Sequence, residues 1–188
     1  QLPPRDRGTR LSRDPPEAKA MRAGLRLAIA TCALAAGTAR AACDEPERRQ
    51  FDFWLGDWQV DGAQGPAGRN RIESIEAGCA LLEHWRGATG GSGTSLNVYD
   101  PVARRWLQTW VDRDGTVLRL AGGWNGSAMV LEGMLPDAAS GAQRAQRITW
   151  TPAADGSVRQ HWQARAAGDD AWRTVFDGRY RRDPDPRD

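Results

Sequence analysis

The stretch ARRWLQTWVDRDGTVLRLAG, residues 103–122, decides the fold class. Its first half alternates with period two, so Trp106 and Trp110 share one face with Gln108 between them, while Arg105 falls on the other. Asp114-Gly115 then interrupts the pattern, because Asp-Gly accepts the positive φ of a tight hairpin turn at little cost. A second alternating run follows at once, which predicts two antiparallel strands over 103–112 and 116–122. The same grammar extends in both directions. Strands are expected at 57–62, 69–76, 79–86, 94–100, 127–134, 144–152, 157–166 and 171–181. Asn125-Gly126 and Asp155-Gly156 supply further hairpin turns, while Gly78, Asp100-Pro101 and Gly168-Asp169 mark other connections. Longer loops are expected at 63–68, 87–93 and 135–143. These connections leave no room for crossover helices, so the class is all-β, an antiparallel meander of about ten strands. An open sheet of that width exposes two edges, so closure into a barrel is expected, with a sandwich as the alternative.

Parity assigns the faces. Leu81, Glu83 and Trp85 align on one strand, Ile148 and Trp150 on another, and Val158, Gln160 and Trp162 on a third. Trp172, Phe176 and Tyr180 form a last inward row. Arg105, Arg147, Arg159, Arg165, Arg173 and Arg179 take the opposite face, where Asp57, Asp112 and Asp177 can pair with them. The aromatic and amide face is therefore expected inside and the Arg-rich face in solvent. A barrel this wide is either filled by side chains or hollow. Candidate ligand-binding residues are Trp58, Glu83, Trp85, Trp106, Gln108, Trp110, Gln160 and Trp162. An apolar lining with a few orienting polar groups suits a small, partly apolar molecule. The competing reading is a packed core whose indole N–H groups bond to the glutamines.

At the N-terminal side, Asp44-Glu45-Pro46-Glu47 starts a short helix that runs into Phe51, Phe53, Trp54 and Leu55 and stops at Gly56. Residues 1–20 are rich in Pro, Arg and Asp without apolar periodicity, and read as an extension outside the fold. Met21, the basic Arg22 and Arg26, the apolar run from Leu25 to Ala36 and the Ala39-Arg40-Ala41 ending have the layout of a signal peptide over 21–41. The run is short for a membrane span, although an N-terminal anchor is the alternative. A lipoprotein reading through Cys43 has Arg40 against it. Residues 42–188 are thus expected to form one periplasmic or secreted domain without stable membrane insertion. Cys43 and Cys79 remain, which predicts a disulfide closing a loop of about 35 residues, for roughly 3–4 kcal/mol on the chain-entropy model. Two separate buried thiols are the alternative.

The full chain carries 26 Lys+Arg against 24 Asp+Glu, a formal +2. Residues 1–41 hold seven Arg, the single Lys19 and three acids, so the remainder is near −3 (18 against 21) and the hint of nucleic acid leaves with the leader. The dominance of Arg suggests a high-GC bacterial source. Standard catalytic patterns are missing. His84 and His161 both take the outward parity, and no HxH, HExxH or CxxC spacing points to a metal. Residues 87–93 lack the Lys-Ser/Thr of a phosphate loop, and no serine sits in a GxSxG elbow. Glu83 is the one carboxylate expected inside, where burial raises its pKa and makes it the candidate general acid. A one-residue register slip would instead turn His161 inward, where it could ligate iron. Asn125-Gly126-Ser127 reads as a hairpin turn rather than a glycosylation site.

FDFWLGDWQV (51–60), AGCALLEHWRG (77–87), SLNVYDPVARRWLQTWVD (95–112), RITWTPAADGSVRQHW (147–162) and FDGRYRR (176–182) together resemble an exported bacterial family known only as a domain of unknown function. The resemblance covers nearly all of 42–188 and carries no activity with it. More loosely, the helix-then-GxW opening is similar to lipocalin or calycin-like barrels and to nitrobindin-type haem barrels. The first implies a calycin-like barrel closed at one end by the helix. The second would imply haem, but no histidine lies on the inward parity, so no cofactor is expected. The function expected is binding of a small apolar or aromatic ligand. The alternatives are a hydrolase or isomerase using Glu83, and a cell-envelope or assembly protein acting through its surface.

Overall fold

A computed structural model describes residues 43–185, and the expected extension and signal peptide lie outside that range. A one-turn helix, α1 (Pro46–Arg49), and a 3₁₀ turn (Asp52–Trp54) precede ten strands. These are β1 (Gly56–Gly62), β2 (Gly65–Ile75), β3 (Ala80–Gly87), β4 (Ser92–Asp100) and β5 (Arg105–Asp112). The second half comprises β6 (Val117–Trp124), β7 (Met129–Pro136), β8 (Gln143–Pro152), β9 (Val158–Ala166) and β10 (Arg173–Arg182). Each strand pairs antiparallel with the next, and β1 with β10, so the meander closes into a barrel and no sandwich forms. The closing seam runs from Trp58 opposite Arg182 to Asp61 opposite Arg179.

Three hairpin turns work as their residues dictate. Asp112 Oδ1 accepts the N–H groups of Asp114 and Thr116, both at 2.9 Å, while Gly115 takes φ 83°. Asn125 Oδ1 holds the N–H groups of Ser127 and Ala128 in the same way, which gives that asparagine a structural role in its turn. Asp155 repeats the device with Ser157. One expected loop is shorter than foreseen: β2 begins at Gly65, because Gly68 at φ 158° and a bulge at Val60/Asp61 let pairing continue toward the turn.

Cys43 and Cys79 form the expected disulfide, tying the segment before α1 to the start of β3. Such a bond persists in an oxidising compartment. Among the described residues no helix is long and apolar enough to cross a membrane. The outer wall carries five of the six expected arginines, with Arg159 on Asp177 at 2.6 Å and Arg147 on Glu132 at 2.5 Å, whereas Arg173, ahead of a bulge in β10, pairs with Ala164 on the inward parity. Arg71 lies 3.9 Å from Asp57, whereas Asp112 is engaged by its own turn. His84 and His161 face outward as expected. His84 lies 3.3 Å from Glu73, and His161 bonds Thr174 Oγ1 at 2.9 Å.

Trp172 departs from expectation. It lies outside the barrel between the Arg147 and Arg165 guanidinium groups, 4.3 and 4.9 Å from its ring. A bulge between Thr174 and Phe176 inserts one residue into β10 and reverses the parity ahead of it. Phe176 and Tyr180, beyond the bulge, point inward.

Candidate functional site

The barrel interior divides along its length into a packed end, a polar layer and a hollow end. At the packed end Phe51 and Trp54 enter from the N-terminal turns and are fully buried. Phe51 stacks on Trp54 at 4.9 Å and meets Trp150 and Trp106 edge-on at 5.2 and 5.6 Å. Trp58 donates its indole N–H to the Trp54 carbonyl at 2.8 Å, and Trp106 donates to the Glu47 carbonyl at 3.2 Å. These bonds fix the incoming segment as a plug. An aromatic cluster of this size contributes both buried area and edge-to-face contacts.

The polar layer spans the barrel from side to side. Asn70 on β2 donates to Glu83 Oε1 at 2.7 Å, and Ser95 on β4 donates to Glu83 Oε2 at 2.5 Å. Asn97 donates to Ser95 at 2.9 Å, and its own carbonyl accepts from Gln108 at 2.8 Å. On the other side Asn70 also donates to Tyr180 at 3.3 Å, and Tyr180 in turn donates to Gln160. β4 adds two inward polar side chains and β2, β5, β9 and β10 one each, so the two direct partners of the carboxylate, Asn70 and Ser95, belong to a network drawn from five strands. Burial pushes the Glu83 carboxyl up to about 7, against the Ser95 and Asn70 donors that hold it down. Burial, reinforced by the neighbouring Glu83 charge, likewise drives the Tyr180 phenol upward.

Beyond this layer lies a cavity of about 280 Å³. Its floor is Glu83, Gln108, Gln160 and Tyr180, and its walls include Trp85, Trp110, Trp162 and Phe176. Val175, placed at the mouth by the β10 bulge, is half exposed. Two glycines make room for the wall rings. The Trp110 ring occupies the space a Cβ at Gly93 would need, and Trp85 lies 2.8 Å from the corresponding point at Gly68. Trp85 meets Phe176 edge-on at 6.1 Å, and Trp162 is anchored by a 2.8 Å bond from its indole N–H to Gln146.

Six of the eight residues expected to bind ligand therefore line one cavity: Glu83, Trp85, Gln108, Trp110, Gln160 and Trp162. Trp58 and Trp106 belong to the plug instead, because the N-terminal turns fill that end and take up their indole N–H groups. Packed and hollow thus coexist by position, although the packed-end indole N–H groups bond backbone carbonyls and the one indole–glutamine bond, Trp162 to Gln146, lies in the cavity wall. Sequence reading missed Asn70, Ser95 and Asn97, although all three lie on the inward parity of their strands. It also missed Phe51 and Trp54 as interior residues, since 3₁₀ turns have no strand parity to read. The floor offers one ionisable acid beside two amides, in an otherwise aromatic enclosure. Such a group can accept hydrogen bonds, balance a positive charge or exchange a proton near neutral pH. A scan against protein-family models finds no match for the chain, and a search of curated proteins finds no relative.

Proposed function

We propose that this barrel binds a small, largely apolar molecule in the cavity above Glu83, in the manner of lipocalin-like carriers, and that it does so after export to an oxidising compartment. The observation that carries the reading is the contrast between the two ends. One end is filled by Phe51, Trp54 and Trp58, which are fully buried, whereas the other leaves Trp85, Trp110, Trp162 and Phe176 around open space. A volume of about 280 Å³ lies just below the usual range for small-ligand sites, about 300–1,000 Å³, and favours a compact ligand. Closure of the sheet leaves no free edge for strand addition, which speaks against assembly through edge pairing. The Cys43–Cys79 bond supports export.

Four tryptophans, Trp85, Trp110, Trp150 and Trp162, line the cavity and make intrinsic fluorescence the direct assay. Titration with fatty acids, haem, and small aromatic alcohols and amines is expected to give a saturable change with at least one compact ligand. A response to none of them would overturn the binding reading. Recovery from a periplasmic extract of a chain beginning at Ala42 is expected if residues 21–41 are removed on export.

A second reading has Glu83 act as a general acid or base on a bound substrate. It is favoured by the two polar partners within hydrogen-bond reach, Asn70 and Ser95, and by a carboxyl that titrates near 7. Any hydrolase or isomerase activity found for the protein should show a pH–rate limb near that value, and Glu83→Gln should abolish the activity.

A further inference from the structure

We propose that the cavity takes an organic ammonium ion of compact apolar body, its charged head on the Glu83 carboxylate and Gln108 carbonyl and its body among Trp85, Trp110 and Trp162. This rests on the cavity being a binding site and adds the charge and chemical class of what it binds.

The sign of the charge follows from what lines the space. Of its twelve lining residues only Glu83 and Tyr180 are ionisable, and none is cationic. An anionic ligand would meet the carboxylate with no positive group to offset it. A neutral ligand would leave that carboxylate uncompensated beneath it. A cation relieves both conditions.

The geometry leaves Glu83 able to accept it. A carboxylate has about four lone-pair sites, and the described partners, Asn70 and Ser95, take one on each oxygen. Both partners donate, so they are arranged for the ionised form. Beside it the Gln108 side-chain nitrogen is committed to Asn97 and Ser95, while its carbonyl has no partner among the described residues. That carbonyl is a second acceptor on the floor. The walls add tryptophan rings, the strongest of the aromatic side chains for a cation. Trp110 stands opposite Ser95 across the β4–β5 ladder, so ring and carboxylate share the same stretch of the interior.

A proton balance accompanies the binding. The groups facing Glu83 are Asn70 and Ile72 of β2, Ser95 and Asn97 of β4, Gln108 of β5, Gln160 of β9 and Tyr180 of β10, of which only Tyr180 titrates. Binding of an already protonated amine therefore draws on the ionised carboxylate and releases a proton wherever Glu83 is protonated beforehand.

The test is a matched trio, phenethylamine, phenylethanol and phenylacetate, titrated into the wild-type protein and into Glu83→Gln by calorimetry and tryptophan fluorescence. In the wild type at pH 8 the amine should bind about tenfold more tightly than the alcohol, with the acid weakest. The amine affinity should fall about tenfold from pH 8 to pH 6, with proton release into the buffer. In Glu83→Gln the amine and the alcohol should become equal and the pH dependence should vanish. Alcohol or acid binding as tightly as the amine in the wild type overturns the ammonium proposal and leaves the binding site standing. No binding by any of the three, or by the wider ligand panel, overturns both. The wild-type trio decides the matter even if the variant fails to fold.

Discussion

Ser95 donates a hydroxyl hydrogen bond to the Glu83 carboxylate from the neighbouring strand, at 2.5 Å, in the buried middle of the barrel. The serine and the glutamate face each other directly across the β3–β4 ladder, so this bond is fixed by strand register. It holds an acid largely withdrawn from bulk solvent, and several measurable properties depend on that.

Stability should depend on pH through Glu83. The folded carboxyl titrates at about 7, above its ordinary 4.5, so the folded state binds the extra proton. The stabilisation is complete below pH 4.5 and is lost as pH rises through about 7, a loss on the order of 3 kcal/mol. Glu83→Gln should flatten this slope and be the more stable form at pH 8, because rotation of the Asn70 amide turns its unpartnered carbonyl toward the new N–H₂. Urea midpoints of both proteins at pH 5 and pH 8 check this. A parallel pH dependence in the two would refute it.

Reduction of the Cys43–Cys79 bond should cost about 4 kcal/mol, the chain-entropy value for a separation of 36 residues. The paired Cys→Ser variant should show the same loss in denaturant titrations with or without reductant, whereas the wild type should respond to reductant.

Phe51→Ala should destabilise by about 3–5 kcal/mol, since it empties the centre of the plug. Ligand affinity at the opposite end should change less than stability does, because Phe51 reaches the cavity lining only through its edge-on contact with Trp150. Thermal unfolding and a fluorescence titration on the same sample measure both effects.

Gly93→Ala should act in reverse. The added methyl meets the Trp110 ring, so the ring must swing into the cavity or the strand must shift, for about 1–3 kcal/mol. Tryptophan emission should change in the absence of ligand, and ligand binding should weaken more than stability does.

The turns and faces of the barrel were legible because each is written locally. Asp114-Gly115 and Asn125-Gly126 specify their hairpins within four residues, and the alternation around Gln108 and Gln160 specifies the interior directly. What escaped was non-local. The bulge ahead of Phe176 reverses the parity of β10 with no residue that announces it, which is why Trp172 appears on the outer wall. The interior position of Phe51 and Trp54 depends on how far the N-terminal turns reach into the barrel, and no periodicity encodes that. Asn70, Ser95 and Asn97 alternate correctly, but a short polar side chain on a strand reads as solvent-facing until its partners across the interior are known.

The Phe51–Trp54 segment also bears on how much the protein can carry. In physical terms it is a guest supplied by the chain itself, seated at one end of the lumen on a covalent tether that the Cys43–Cys79 bond anchors to β3. That end of the lumen is therefore closed to any other guest, and the capacity left is the cavity on the far side of the Glu83 layer.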